Sequence, residues 1–312
     1  MEIIRELKTF IPLKSSVLTI GSYDGIHRGH HDIISAVVNH ANARNVQSVL
    51  VTFDPHPRHI LDPGSDKLSL IMSLDQKLDI IHSLGISLVY IINFTKTFSL
   101  TTAKDFLEIG ILPYFKPEYL IVGYNHHFGK AREGSPEFLS RFCTTKNIGL
   151  EIIKPVTDDG HHISSTRIRQ LINDGFVRRA NFELGAVFGF KAKVVKGAGR
   201  GKDLNFPTAN VVPLEKNQLM PKPGVYFIRG RIIGLQAFGM CNFGVRPTFN
   251  EHELTMEIHF FHNKLDSLYG KEITVEFLER IRDEKKFPST DKLIKQLEND
   301  KQRCLDMQGK YE

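Results

Sequence analysis

The sequence predicts two domains of different class. An α/β domain with a parallel, doubly wound sheet covers residues 1–178, and an antiparallel barrel or sandwich with a C-terminal helix covers 184–312. Three observations predict this. The first half alternates short apolar, β-branched runs with helical patterns of the length found in βαβ units. From Phe190 onward helical periodicity gives way to period-two alternation until the final segment. At 312 residues, 41% hydrophobic and 24% charged, the chain has the apolar mass for two ordinary cores.

Strands are expected at 17–20 (VLTI), 46–53 (VQSVLVTF), 88–94 (LVYIINF), 119–122 (YLIV) and 150–153 (LEII), with helices at 30–43, 74–84, 102–109 and 135–146. In such sheets ligands lie at the carboxyl ends of the strands, near the point where strand order reverses. The loops after Ile20, Phe53 and Val122 are therefore where chemistry is expected. A last helix, 166–174, is stopped by Gly175, which sets the domain boundary near 175–187. Beyond it, KAKVV (191–195), GVYFIRGRIIG (224–234), LTMEIHFF (254–261) and KEITVEFLERI (271–281) read as antiparallel strands. Ser289 is the expected N-cap of a final amphipathic helix with Leu293, Ile294, Leu297, Cys304 and Leu305 on one side.

Composition narrows the functional classes. No run approaches the ~20 apolar residues of a membrane-spanning helix, and the mixed charges of the first residues do not form a secretory signal. Cys143, Cys241 and Cys304 stand too far apart for zinc-ligand spacing and suit reduced thiols, so a cytoplasmic location is expected. A formal charge of +6 favours anionic partners, whether nucleic acid, membrane surface or phosphorylated small molecules, and the absence of a dense Lys/Arg block weighs against nucleic acid. Oligomeric state is not readable from these features.

The segment Gly21-Ser22-Tyr23-Asp24-Gly25-Ile26-His27-Arg28-Gly29-His30 follows the first expected strand and opens a helix. Free N–H groups at a helix start suit phosphate. His27 and His30, three apart, are able to face one anion, and Gly29 lets a nucleotide approach the backbone. A glycine-rich turn with two surface histidines fits the same residues. Ser164-Ser165-Thr166-Arg167 opens the last helix of this half. Its hydroxyls are ordinary caps alone, but with the helix start and Arg167 they make a second phosphate corner. Two such corners suit a nucleoside triphosphate attacked at its α-phosphate, with charge stabilisation and no covalent nucleophile.

In the second half Gly197-Ala198-Gly199-Arg200-Gly201-Lys202 forms a cationic glycine loop that differs from a Walker A loop. Read alone it also fits a hairpin turn. Thr208 and Asn210, two apart on an extended segment, project the same way and offer oxygens to Mg²⁺. A carboxylate on the barrel is the expected base. Glu257 shares a strand face with Thr255 and His259, opposite Met256, Ile258 and Phe260.

GSYDGIHRGH, FDPHP (53–57), VGYNHHFGKAREG (122–134) and ISSTRIR (163–169) resemble the four signature segments of the FAD-synthetase nucleotidyltransferase domain, a Rossmann-like fold. GKDLNFPTANV, PKPGVYF, CNFGVRPTF, TMEIHFF and DSLYGKEITVEFLERIRDEKKF resemble the riboflavin kinase module, a six-stranded barrel. Together they look like the bacterial bifunctional family that phosphorylates riboflavin to FMN, releasing ADP, and adenylylates FMN to FAD, releasing pyrophosphate. The resemblance implies ATP as co-substrate, with Gly21, Asp24, His27, Gly29, His30, Ser164, Ser165, Thr166 and Arg167 toward ATP in the first domain. It implies Asp54, His56 and Asn125 on the flavin side. In the second it implies Gly197, Gly201 and Lys202 on phosphate, Thr208 and Asn210 on Mg²⁺, and Glu257 as base. This sequence has Tyr23 where Phe is usual, Asn125-His126-His127 for the commoner Asp-Phe-Arg, and Lys202 and Asn205 where Arg and Gly are common.

Overall fold

The computed structural model describes residues 1–62, 64, 68–197, 204–232, 235–247, 252–261 and 268–312. The chain divides into two compact units, one of 1–70 and 74–165, the other of 71–73 and 166–312.

The first unit is built on six parallel strands: β1 (Glu2–Ile4), β2 (Ser16–Ile20), β3 (Gln47–Asp54), β4 (Leu88–Asn93), β5 (Pro117–Gly123) and β6 (Gly149–Ile153). Their order is β1-β4-β3-β2-β5-β6, every pair parallel. From β2 the chain steps outward through β3 and β4, then returns to place β5 on the other side of β2. The reversal lies between β2 and β5.

Strand alternation gives each face its core. Leu18, Ile20, Val49, Val51, Leu120 and Val122 pack with Phe106, Leu107, Phe115 and Leu139. The opposite face meets helix α1 (Arg28–Arg44), whose Ile33, Ile34, Val37 and Ala41 are buried. The short α2 (Pro57–Leu61) and α3 (Leu74–Ser83) follow β3. The expected helix at 102–109 is α4 (Ala103–Asp105), which runs through a π turn, Phe106–Ile111, into α5 (Leu112–Phe115). α6 (Pro136–Lys146) is capped by Ser135 and ends on Asn147 in the left-handed region. A small hairpin, β7 (Thr157–Asp158) and β8 (His161–His162), follows β6.

The second unit holds most of α7 (Ser165–Asn173), then α8 (Val177–Leu184), then a closed six-stranded antiparallel barrel. Its strands are β9 (Gly189–Val195), β10 (Ala209–Pro213), β11 (Gly224–Ile232), β12 (Leu235–Pro247), β13 (His252–Phe260) and β14 (Glu272–Arg282), in the order β10-β13-β12-β11-β14-β9. Met256, Ile258, Cys241, Phe243, Tyr226 and Phe277 fill the interior. The outer face of β11, β12 and β14 carries Val225, Phe227, Phe238, Met240 and Leu278, covered by Ile294, Leu297, Cys304 and Met307 of α9 (Thr290–Gln308). Ser289 caps α9 by accepting the Lys292 N–H at 3.3 Å. Arg282 of β14 pairs with the buried Asp300 at 2.8 Å and fixes the helix to the barrel.

Candidate active sites

At the carboxyl end of β2 the turn 21–27 is tied at several points. Tyr23 adopts φ 48° and is buried, its hydroxyl 2.7 Å from Thr19 Oγ1. The hydroxyl that distinguishes it from phenylalanine is thus satisfied, as a buried phenol requires. Ser165 Oγ donates to the carbonyl of the buried Asp24 at 2.6 Å, so the first residue of α7 reaches back to the histidine turn.

His27 is the N-cap of α1. Its Nδ1 accepts the His30 backbone N–H at 3.3 Å, and the two imidazoles stack with centroids 3.7 Å apart. Burial, reinforced by the charge of His31, holds His27 down to about 4, and burial with the His27 charge holds His30 well below the ordinary histidine value. Both rings are therefore neutral near pH 7, and their hydrogen bonds fix their tautomers. His27 Nδ1 is an acceptor, so its proton sits on Nε2, ready to donate to an anion. His30 Nδ1 lies 3.4 Å from the Gly25 carbonyl, which only accepts, so His30 Nε2 is bare. A hydrogen bond donated from Nε2 would require this ring to be doubly protonated.

The flavin-side candidates lie at the ends of β3 and β5, the strands on either side of β2. Asp54 closes β3 and meets Arg5 at 3.2 Å. His56 caps α2 through Nδ1. Asn125 follows β5 and is exposed, its carbonyl 3.0 Å from His127 Nδ1. His27 and Asn125 thus flank the strand reversal from its two sides. Thr166 and Arg167 belong to the second unit, where Arg167 Nε donates to both oxygens of the fully buried Glu183, at 2.9 and 3.1 Å. Arg179 also pairs with Glu183.

The sequence reading missed Lys77 on α3. It is 6% exposed, donates to the Ser22 carbonyl at 2.7 Å, and its charge reaches His30. Nothing in the sequence marks it, because it enters the turn from 55 residues away.

In the barrel, register assembles the site. Asn210 of β10 stands opposite Glu257 of β13, and Glu257 stands opposite Asn242 of β12. Directly opposed residues point to the same face, here the outer one. Glu257 is half-buried, and its charge adds to the burial that raises the Cys241 thiol. Thr208 precedes β10 and is half-buried, as is Asn210. A Cβ at Gly197 would stand 1.9 Å from Asn210 Nδ2, so any other residue there displaces this amide. Asn205 adopts φ 58°, a left-handed conformation that asparagine tolerates where glycine is common. Gly201 and Lys202 lie outside the described residues. Asn242 and His259 were also missed. His259 Nδ1 lies 2.9 Å from the Pro207 carbonyl, holding the segment that leads into Thr208.

A family model described as FAD synthetase matches residues 11–167, and one described as riboflavin kinase matches 184–308. The bifunctional riboflavin kinase/FMN adenylyltransferase of Bacillus subtilis (strain 168) is 31% identical over 293 residues, 93% of this chain and 92% of the relative. Its namesake from Escherichia coli (strain K12) is 32% identical over 306 residues, 96% of each. A crystal structure from Streptococcus pneumoniae, described as a macrolide-efflux protein, superposes with a TM-score of 0.88 at 30% identity, covering 96% of this chain and 97% of that one. Among the described residues no helix is long and apolar enough to cross a membrane. The chain belongs to the bifunctional riboflavin kinase/FMN adenylyltransferase family.

Proposed function

We propose that the chain converts riboflavin to FAD in two ATP-dependent steps at two sites, with functional domains 1–178 and 184–312. The observation that carries this reading is that the FAD synthetase model matches 11–167 and the riboflavin kinase model matches 184–308, two separate segments of one chain. At the barrel, Glu257 takes the proton of the ribityl 5′-hydroxyl as that oxygen attacks the γ-phosphate of ATP, and ADP leaves with FMN formed. Thr208 and Asn210 offer a hydroxyl and an amide oxygen, a donor set fit for a hard cation, and the space kept at Gly197 accommodates that amide. They would hold Mg²⁺, which neutralises phosphate charge when bound. Gly197, Gly201 and Lys202 serve the ATP phosphates.

At the parallel sheet, the FMN phosphate attacks the α-phosphate of a second ATP, giving FAD and pyrophosphate. His27 donates from Nε2 and protonated His30 adds charge where the phosphates become more anionic. Gly21, Asp24, Gly29, Ser164, Ser165, Thr166 and Arg167 complete the ATP side, and Asp54, His56 and Asn125 the flavin side. The reaction is placed in the cytoplasm, which suits three free, buried cysteines.

Incubation with riboflavin, ATP and Mg²⁺, followed by chromatography over time, tests the reading. FMN appearing first and FAD after it is expected; neither product forming overturns it.

A further inference from the structure

We propose that Lys77 is a phosphate-binding residue of the adenylyl-transfer site, its ammonium taking an anionic phosphoryl oxygen of ATP or of FMN; this rests on the reading above.

The ammonium has three N–H donors, and among the described residues it meets one acceptor, the Ser22 carbonyl at 2.7 Å, with no carboxylate within 4 Å. Lys77 is 6% exposed, and a charge so withdrawn from water is costly unless something anionic answers it. Asp24 and Asp54 act on it from beyond contact and favour its charged form, while burial pulls its pKa below the usual lysine value. Tying down Ser22 does not account for the charge, because Thr52 Oγ1 already donates to the same carbonyl at 3.3 Å. The ammonium lies within electrostatic reach of His30, on the turn that leads to the stacked histidines. A cation with donors to spare, beside an anion-facing helix start, is completed by a phosphate oxygen.

Three variants of the full chain separate charge from support. Lys77→Gln keeps an amide donor for Ser22 but removes the charge, Lys77→Met removes both, and Lys77→Arg keeps the charge. FMN adenylylation, with FMN supplied, should fall about 100-fold in Lys77→Met and Lys77→Gln, with partial recovery in Lys77→Arg. Riboflavin phosphorylation should be unchanged in all three. Calorimetric titration with ATP and with FMN separately then names the source: weakened ATP binding assigns the nucleotide phosphates, weakened FMN binding the flavin phosphate. Equal binding with a fallen rate assigns a contact made in the transition state. The pH profile is a second readout that does not depend on the neutral variants folding. Wild type should lose adenylylation on the alkaline side below the ordinary lysine range, and Lys77→Arg should lack that limb. Full activity in Lys77→Met, rescue by Lys77→Gln, or an unaltered alkaline limb in Lys77→Arg overturns the proposal. A wild-type protein that makes no FAD from FMN fails the underlying reading instead.

Discussion

The two units place their chemistry by opposite means. In the parallel sheet the candidate groups stand on turns beyond the strand ends, where backbone conformation and a helix start aim them. In the barrel Asn210, Asn242 and Glu257 stand on the strands themselves, and cross-strand register aims them. A turn tolerates change in the strands behind it, whereas a one-residue slip of β13 would turn Glu257 inward and Met256 outward. Side chains acting through register are the more exposed to a single error, and turn residues the more exposed to a change of local charge.

The largest effect expected from breaking this division is at Glu257. Glu257→Ala should slow riboflavin phosphorylation by roughly 10²–10⁴-fold, the usual worth of a general base, and leave adenylylation of supplied FMN intact. The mirror experiment, His30→Ala, should cut adenylylation by about 10²–10³-fold and spare phosphorylation. Product analysis with each flavin supplied alone checks both. Loss of both partial reactions in either folded variant would mean that the work is not divided.

The third test bears on charge in the turn. His27 is held at about 4 in the fold against an ordinary 6.5, so the unfolded chain binds more protons between those values. Stability from this group is complete above pH 6.5 and is lost as pH falls toward 4, by about 3 kcal/mol at ~1.4 kcal/mol per unit. His27→Asn keeps a capping acceptor without the titration. Urea unfolding at pH 7 and pH 4.5 should show a smaller acid loss in the variant; equal losses would reject the assignment. The smallest effect sharpens the barrel side. Gly197→Ala pushes a methyl into the Asn210 amide, and phosphorylation should fall about tenfold with a raised Mg²⁺ requirement, adenylylation being unaffected. An unchanged Mg²⁺ titration would separate Gly197 from the proposed Mg²⁺ ligands.

The same contrast explains what was legible in the sequence. Five of the six parallel strands and their main helices follow from periodicity, because each is a local pattern with its own stop signal. β1 was not legible: three residues at the chain start carry no period and gain their strand from pairing with β4. Two barrel strands escaped the alternation reading for a related reason. β10 is half-exposed along much of its length, and β12 mixes Gly239, Gly244 and Asn242 into its apolar residues. The histidine turn reads directly because its groups are consecutive in the chain. Asn242 and Lys77 do not, since β-register and helix docking bring them in from a distance. The π turn within 102–115 is likewise invisible to a 3.6-residue template.

Closure of the barrel has a consequence for the chain as it leaves the ribosome. A sheet joined to itself has no unpaired strand edge on which another molecule can template. The parallel sheet ends on β1 and β6, and β6 presents Ile152 at 40% exposure beside its open backbone groups. Synthesised first, that half must guard its flank while the rest is still emerging. Ile3 of β1 is likewise 47% exposed, so aggregation at high expression is expected to start from one of these two edges, and a lysine placed there is the simplest remedy.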